Sequence, residues 1–340
     1  LAELALAGWQ GIGDDLVSGS SQAVTAMLAD VRLRRLATLL DGFAAELAAS
    51  CPGATLDRFP ERRWADLWSR AMVLAQPGFT GDSGPGDAAG TVAATGRLLP
   101  LGIDLTEHAT AAQAQVHAVF EPADGGPARL VRASVSAPKP DTVVGVGVWQ
   151  LLRPSMNLLT ASSEGRSMEL TGMPLTQEGD LLWNDEQART GEEAGAFATA
   201  RIALAEAAAS PVAPLDRHPV RIAEPVFLEG YRVTQTGSAV AFSLPGLDLP
   251  VAVDRVPPAG PLTDQALKAS TSCIGLLRWE AGAFSVQPLA VETAAKKQPT
   301  AVHAAGWAGG ATDTAGAKAE TAAAEAVKVL RERAGRLLRK

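Results

Sequence analysis

Histidines, cysteines and paired acids are the residues of this chain whose types suit metal binding or acid–base catalysis. No histidine has a second His, Cys or Glu at zinc-binding spacing, and the two cysteines are too far apart in sequence to form a disulfide framework or a thiolate zinc site alone. The adjacent acids lie in polar contexts typical of caps and loops. We therefore predict no metal and no cofactor. The residues concerned are His108, His117, His218, His303, Cys51, Cys273, Asp14-Asp15, Asp185-Glu186 and Glu192-Glu193.

Glycine and serine motifs also fall short of catalytic patterns. Gly145-Val146-Gly147 lacks the third glycine of a phosphate-binding loop, and Gly316-Ala317-Lys318 lacks the strand-to-helix context. The stretch Gly81-Asp82-Ser83-Gly84-Pro85 is similar to the nucleophile motif of trypsin-like proteases, but the first histidine follows it, whereas the base of that family precedes the serine. We predict no catalytic residues and expect a protein that is not an enzyme.

Composition sets wider bounds. The chain has 340 residues, a formal net charge of -7, 47% hydrophobic and 20% charged residues, which excludes wholesale disorder. Its length suggests two folded parts. The acidic balance speaks against nucleic acid as a partner. No apolar run reaches the roughly 18 residues of a membrane span, so we predict none. Two isolated cysteines fit a reducing compartment, and the expected location is the cytoplasm.

A helical domain is predicted for residues 1–76. Apolar residues over 24–47 keep the three-and-four spacing of one helix face, and a second apolar face begins near residue 60. Residues 77–91 are rich in Gly and Pro and nearly free of apolar residues, which predicts a linker.

Residues 92–295 have the texture of a β-rich domain. Short alternating or β-branched runs are bounded by Gly and Pro, which predicts a mostly antiparallel arrangement, with a helical or irregular insert near 195–209. The fold class predicted is α+β: an N-terminal helical domain, then a sandwich or barrel-like β domain, then a tethered C-terminal helix. The strand candidates are 115–120, 128–136, 142–152, 167–170, 226–234, 239–244, 249–253 and 273–279.

One internal similarity lies within this domain. The segment from Gly172 to Gly179 recurs as Gly230 to Gly237, with glycine first and last and Thr-Gln at the same two positions. A duplicated hairpin unit over 169–183 and 227–242 would explain the match, and so would chance or shared hairpin chemistry.

The end of the chain carries the candidate docking residues. Residues 296–317 lack periodicity and predict a flexible tether, and 318–340 predict a basic amphipathic helix. Over residues 328–340, six basic residues against Glu332 give +5, which leaves -12 for residues 1–327. Docking on an acidic partner, a solvated helix end and folding back on the acidic body all stay open. The six residues are Lys328, Arg331, Arg333, Arg336, Arg339 and Lys340.

Several segments together resemble the region beyond the zinc finger of large bacterial SWIM zinc-finger proteins. They are Leu33 to Ala75, Leu98 to Gly102, Gly147 to Leu151, Leu158 to Gly172 and Leu175 to Leu181. The cysteine and histidine pattern of the finger is missing, so zinc does not carry over. The resemblance implies an adaptor in a chaperone-like system with a MoxR-type AAA+ ATPase and a von Willebrand A-domain protein.

The sequence is therefore compatible with three functions. The first is a non-enzymatic protein-interaction or adaptor component, because no catalytic pattern is present and the chain ends in a basic helix. The second is an enzyme that handles a small molecule or nucleotide in a site assembled only in three dimensions. The third is a structural subunit of a larger assembly.

Overall fold

The computed structural model describes residues 14–31, 33–34, 37–38, 40–42, 44, 91–107, 111–139, 143–176, 179–207, 223–237, 239–280, 283–293, 299–311 and 313–324. Most of the predicted helical domain, the predicted linker up to residue 90 and the chain beyond residue 324 lie outside these ranges. Helix α1 (Asp14–Ala29) is the first described element, and helical residues resume at Arg34. The apolar face of α1 packs Val24 and Leu28 against Ala111.

The first sheet closes on itself. Its pairing order is β1-β2-β3-β5-β4-β6, and β1 also pairs with β4, so the first five strands form a ring. Every pairing is antiparallel except that of β3 with β5. The strands are β1 (Thr91–Glu107), β2 (Ala111–Pro122), β3 (Arg129–Pro138), β4 (Arg166–Thr176), β5 (Asp180–Leu181) and β6 (Ala188–Glu193).

A bend in β1 makes this closure possible. The strand has 17 residues, and its register shifts between Ala94 and Gly96 and again between Pro100 and Gly102. Gly96 has φ +152°, and a Cβ there would collide with the carbonyl oxygen of Glu121. Because only glycine fits, the first half of β1 turns toward β4 while the second half stays with β2.

Two short helices fill the ring. They are α2 (Gly147–Leu152), extended by a 3₁₀ turn at Arg153–Ser155, and α3 (Leu158–Ser163). Trp149 is fully buried and its Nε1 donates to the carbonyl oxygen of Ala259 at 2.7 Å. The strand predicted over 142–152 is therefore wrong. Alternating valines and glycines imitate a strand there, but Gly145 turns the chain at φ +60° and the apolar run packs as a helix.

Two further sheets complete the body. The second has the order β13-β12-β11-β7 and the third the order β10-β9-β8, and one apolar core lies between them. The strands are β7 (Glu224–Glu229), β8 (Arg232–Thr236), β9 (Ala239–Leu244), β10 (Leu247–Pro250), β11 (Ser270–Glu280), β12 (Ala283–Thr293) and β13 (Thr300–His303). The antiparallel strands and the helices confirm the α+β class.

Short helical segments join these strands. Helix α4 (Ala196–Thr199) continues as one π-helical stretch over Ala200–Leu204, which agrees with the predicted insert near 195–209. Helix α5 (Asp264–Lys268) is capped by the hydroxyl of Thr263, which accepts from the backbone N–H of Ala266. Further 3₁₀ turns lie at Asp185–Gln187 and Val253–Arg255. In the described ranges, no helix combines the length and apolar character that crossing a membrane requires.

The segment predicted as a flexible tether, 296–317, contains packed structure. Strand β13 extends the second sheet past the predicted end of the β domain at residue 295, and the alanines that follow it are buried in the core. These alanines are small and follow no helical or strand repeat, so the sequence pattern did not predict that they are buried. Helix α6 begins at residue 314 and is described to residue 324.

The two halves of the internal similarity share backbone geometry. Gly172 and Gly230 have φ +66° and +72°, and Gly179 and Gly237 have φ +86° and +62°. The second strand of each copy pairs antiparallel with the strand before it, but β4 and β5 share one residue pair whereas β8 and β9 share five, and β5 also pairs in parallel with β3. The duplication therefore stays a prediction.

Candidate functional site

Polar side chains line one face of the first sheet. Register places Thr106, Gln113 and Ser136 side by side across β1, β2 and β3, and Asp104, Gln115 and Ser134 in the next row. His117 and Arg132 follow in a third row, beside Gly102. Residues two apart in a strand share a face. We call these eight side chains, Asp104, Thr106, Gln113, Gln115, His117, Arg132, Ser134 and Ser136, the polar face.

The opposite side chains of the same strands explain this arrangement. Ile103, Val116 and Ala133 pair across the sheet and are buried inside the ring, as are Leu105 and Ala114. Alternation therefore assigns the apolar residues to the interior of the closed sheet and leaves the polar face outside. Part of this arrangement is visible in the sequence, because Gln113, Gln115 and His117 alternate with apolar residues. The rows across three strands require the register.

The second sheet covers one end of the polar face. Gly102 has no side chain, and a Cβ there would lie 2.7 Å from the Cβ of Leu289, so the backbone of β1 lies directly against the Leu289 side chain of β12. Beside this contact, the Asp104 carboxylate accepts from Arg278 Nη2 at 3.1 Å and from Gln287 Nε2 at 2.7 Å. Arg278 Nε also donates to Gln287 Oε1 at 2.7 Å. We call Asp104, Arg278 and Gln287 the inter-sheet cluster.

The other end of the polar face lies beside the N-terminal helical residues. Thr38 and Ser136 share a hydrogen bond of 3.3 Å between their hydroxyl oxygens. Gln113 is only 9% exposed, and its Nε2 has no hydrogen-bond partner among the described residues. A buried amide left unsatisfied costs about 1–3 kcal/mol. This donor therefore marks a place where the described residues do not complete the hydrogen bonding.

A charged cluster lies at the opposite end of β12. Arg201, on the π-helical stretch, forms ion pairs with Glu229 at 2.8 Å and with Glu292. Its guanidinium lies over the rings of Phe197 and Phe227, at 5.9 Å and 5.3 Å from their centroids. The hydrogen bonds that Arg201 donates to Glu292 and then to Glu229 raise the pKa of Arg201 further above its usual value. This arrangement joins α4 and its π-helical continuation to the second sheet.

The remaining predicted chemistry does not assemble in the described part of the chain. No three His, Cys, Asp or Glu side chains there come together as a metal site. His303 packs its ring edge-on to Phe197 at 6.4 Å, and burial lowers its pKa. Cys273 is buried and burial raises its pKa. His108, His218 and Cys51 lie outside the described residues.

The six predicted docking residues, from Lys328 to Lys340, also lie outside the described ranges, but the helix that leads to them is anchored. Asp313 caps α6, accepting from the backbone N–H of Gly316 at 2.7 Å and from Trp307 Nε1 at 2.6 Å. These two bonds lower the pKa of Asp313. Arg153 Nη2 donates to Glu320 Oε1 at 3.3 Å, and its Nε donates to the carbonyl oxygen of Ala308 at 2.8 Å.

The contact between α6 and the body buries few residues of the helix. Gly316 is buried, whereas Ala319, Glu320 and Ala323 are only partly covered, and the rest of the described helix is exposed. A Cβ at Gly316 would lie 2.7 Å from Trp307 Nε1, so the helix rests directly on that ring. We call Arg153, Trp307, Asp313 and Glu320 the terminal anchor. Alanine and glycine bury little apolar area, so the anchor depends on its polar contacts.

Comparison of the chain with protein-family models, with curated proteins and with solved structures gives no match. The similarity to SWIM zinc-finger proteins, based on spaced apolar and glycine residues, therefore stays a prediction.

Proposed function

We propose that the protein is a non-enzymatic interaction protein, in which the basic end of the chain docks on an acidic partner. The observation that carries the proposal is the terminal anchor, which fixes the start of α6 by a cap and an ion pair. The six basic residues follow in the sequence from this fixed point and, with Glu332, give residues 328–340 a net charge of +5. Attraction between opposite charges steers association and makes it depend on salt.

The domain organisation and the cellular location of the chain are part of the same proposal. The chain comprises an N-terminal helical domain over 1–76, the β-rich body and the basic terminal helix over 318–340, and it works in the cytoplasm. The resemblance to SWIM zinc-finger proteins supports an adaptor role in a bacterial chaperone-like system. The acidic partner would then be a MoxR-type AAA+ ATPase or a von Willebrand A-domain protein.

Affinity purification from the native host tests the docking proposal with two matched variants. In the tail variant, Arg331, Arg333, Arg336 and Arg339 become Gln. In the body variant, four exposed residues, Arg129, Arg189, Arg232 and Lys268, become Gln, so the net charge changes equally. We expect the wild-type chain and the body variant to retain the same acidic protein at low salt and the tail variant to lose it. Retention by the tail variant would exclude docking through these residues.

The small-molecule alternative is favoured by one observation, the polar face. It brings an aspartate, a histidine, an arginine and neutral polar groups from three strands onto one surface. We propose only binding from this arrangement and no catalytic step.

A further inference from the structure

Three neutral groups of the polar face have open hydrogen-bonding capacity among the described residues. Gln113 Nε2 is an open donor. Gln115 uses its Nε2 on Ser134 Oγ at 3.0 Å, and its Oε1 accepts no hydrogen bond from the described residues. The hydroxyl of Thr106, beside Gln113 in the first row, likewise makes no hydrogen bond within that part of the chain. Two side-chain amides and one hydroxyl therefore have hydrogen-bonding atoms that could contact a ligand.

The carboxylate and the guanidinium of the polar face are already matched. Asp104 is bound by Arg278 and Gln287, and Arg132 forms a bidentate pair with Asp180 at 2.5 Å and 3.0 Å. An anionic or cationic ligand would meet no open countercharge among these groups and would lose its hydration. The chemistry of the polar face therefore favours a neutral ligand.

Spacing defines the size of that ligand. Thr106 and Gln113 lie in one row, and Gln115 and Ser134 lie in the next. Rows are about 7 Å apart along a strand, and neighbouring strands are about 5 Å apart. The open groups thus cover an area similar to one sugar ring. They alternate donor and acceptor character, and a hydroxyl group is able to donate and accept at once.

We propose that the polar face binds a small neutral polyhydroxylated ligand, a monosaccharide or a cyclitol. Gln113 donates to a ligand hydroxyl oxygen from the buried end, and Gln115 accepts from a second hydroxyl at the more exposed end. The inter-sheet cluster forms one boundary of this site and Thr38 lies beside the other. This binding is independent of docking by the basic end of the chain.

Saturation-transfer NMR on the full chain, with D-glucose and myo-inositol as probes, tests the proposal. We expect transfer from the wild-type chain to at least one of these probes and none to the anionic control glucuronate. Gln115→Leu removes the exposed acceptor and should weaken binding by about tenfold or more. Ser134→Ala, which releases the Gln115 amide, should weaken it less. Gln235→Leu, on the exposed strand β8, is the matched control and should bind like the wild type.

Thermal unfolding of each variant shows whether a loss of binding reflects a loss of fold. The proposal is overturned if neither neutral probe binds the wild-type chain at concentrations up to about 50 mM. Equal binding by Gln115→Leu and the wild type would also overturn it, provided that both are folded. If Gln113 is satisfied by one buried water alone, neither probe binds, which is the first of these contradicting results.

Discussion

Two contacts tie parts of this molecule together, and they differ in depth. The inter-sheet cluster joins the first and second sheets, and the Arg278 and Asp104 side chains are 19% and 13% exposed. The terminal anchor joins α6 to the body, and the Arg153 and Glu320 side chains are 29% and 27% exposed. Beside the first contact lies an apolar layer that includes Leu101, Val119 and Ile274. Beside the second lie mostly glycine and alanine.

The difference indicates how each contact should respond to change. Loss of a partner in a buried, apolar setting leaves a charge without solvent or counterion, which destabilises the whole fold. Loss of a partner at a thin surface contact releases only the element that it holds. We infer that the body is one cooperative unit and that α6 detaches from it independently, as a docking element requires.

Arg278→Ala should have the largest effect on stability. It leaves the Asp104 carboxylate, which is 13% exposed, with Gln287 as its only donor among the described residues, and we expect the free energy of unfolding to fall by about 2–4 kcal/mol. Urea denaturation gives the measurement. Arg232→Ala, on the exposed edge strand β8, is the control and should change stability by less than about 0.5 kcal/mol. Equal losses of stability in the two variants would show that the inter-sheet cluster stabilises the fold no more than an exposed arginine does.

Arg201→Ala should have an intermediate effect. Glu292, whose side chain is 11% exposed, loses its cation, while Glu229 is half exposed and contributes little through screening by solvent. We expect a loss of about 1–2 kcal/mol by urea denaturation. Arg201→Lys should recover only part of it, because an ammonium neither bridges two carboxylates in one plane nor stacks on the two rings. Full recovery with lysine would contradict this account of the cluster.

Glu320→Gln should change overall stability by less than about 1 kcal/mol, because it removes one partly exposed ion pair. The expected result is local: trypsin cuts after Lys318 at a lower protease concentration than in the wild type. Mass spectrometry identifies that cut. Thr321→Ala, an exposed position one residue along α6, serves as the control. Cleavage that does not change in Glu320→Gln would show that the ion pair does not hold the helix.

Acid should release the start of α6. The pKa of Asp313 is lowered in the folded chain, so its cap stabilises α6 fully above the usual aspartate pKa of about 3.9 and is lost as the pH falls through the lower folded value. Fluorescence of Trp307, taken as the difference from a Trp307→Phe variant, should change below about pH 4. In Asp313→Asn this change should be absent, since the amide does not titrate. An identical acid response of the wild type and Asp313→Asn would show that protonation of Asp313 does not cause the change.

Short alternating or β-branched runs between turn signals gave strand candidates that overlap β2, β3, β4, β7, β8, β9, β10 and β11, but none for β1 or β12. The single candidate over 226–234 covers two strands, β7 and β8, which are separated by a turn at Gly230. The sequence pattern missed features that depend on distant contacts. The run 142–152 contains enough valine to imitate a strand, and only the interior of the closed sheet explains why it is helical. The bend at Gly96, which closes that sheet, reflects a backbone approach that no local pattern encodes.

The candidate sites show the same limit. Gln113, Gln115 and His117 are visible as alternating polar residues, but their neighbours across β1 and β3 follow only from the register. Arg153 and Glu320 are 167 residues apart, and neither stands out in its own segment. The basic residues from Lys328 to Lys340 were recognisable from charge alone.

Hydrogen exchange on the full-length chain tests the central claim, that α6 is a separable element on a cooperative body. We expect the α6 amides over 316–324 to exchange at least about 100-fold faster than the central amides of β11 and β12, and Glu320→Gln to accelerate α6 alone. Exchange of α6 at the same rate as β11 and β12 would contradict the claim, because the helix would then open only when the body unfolds.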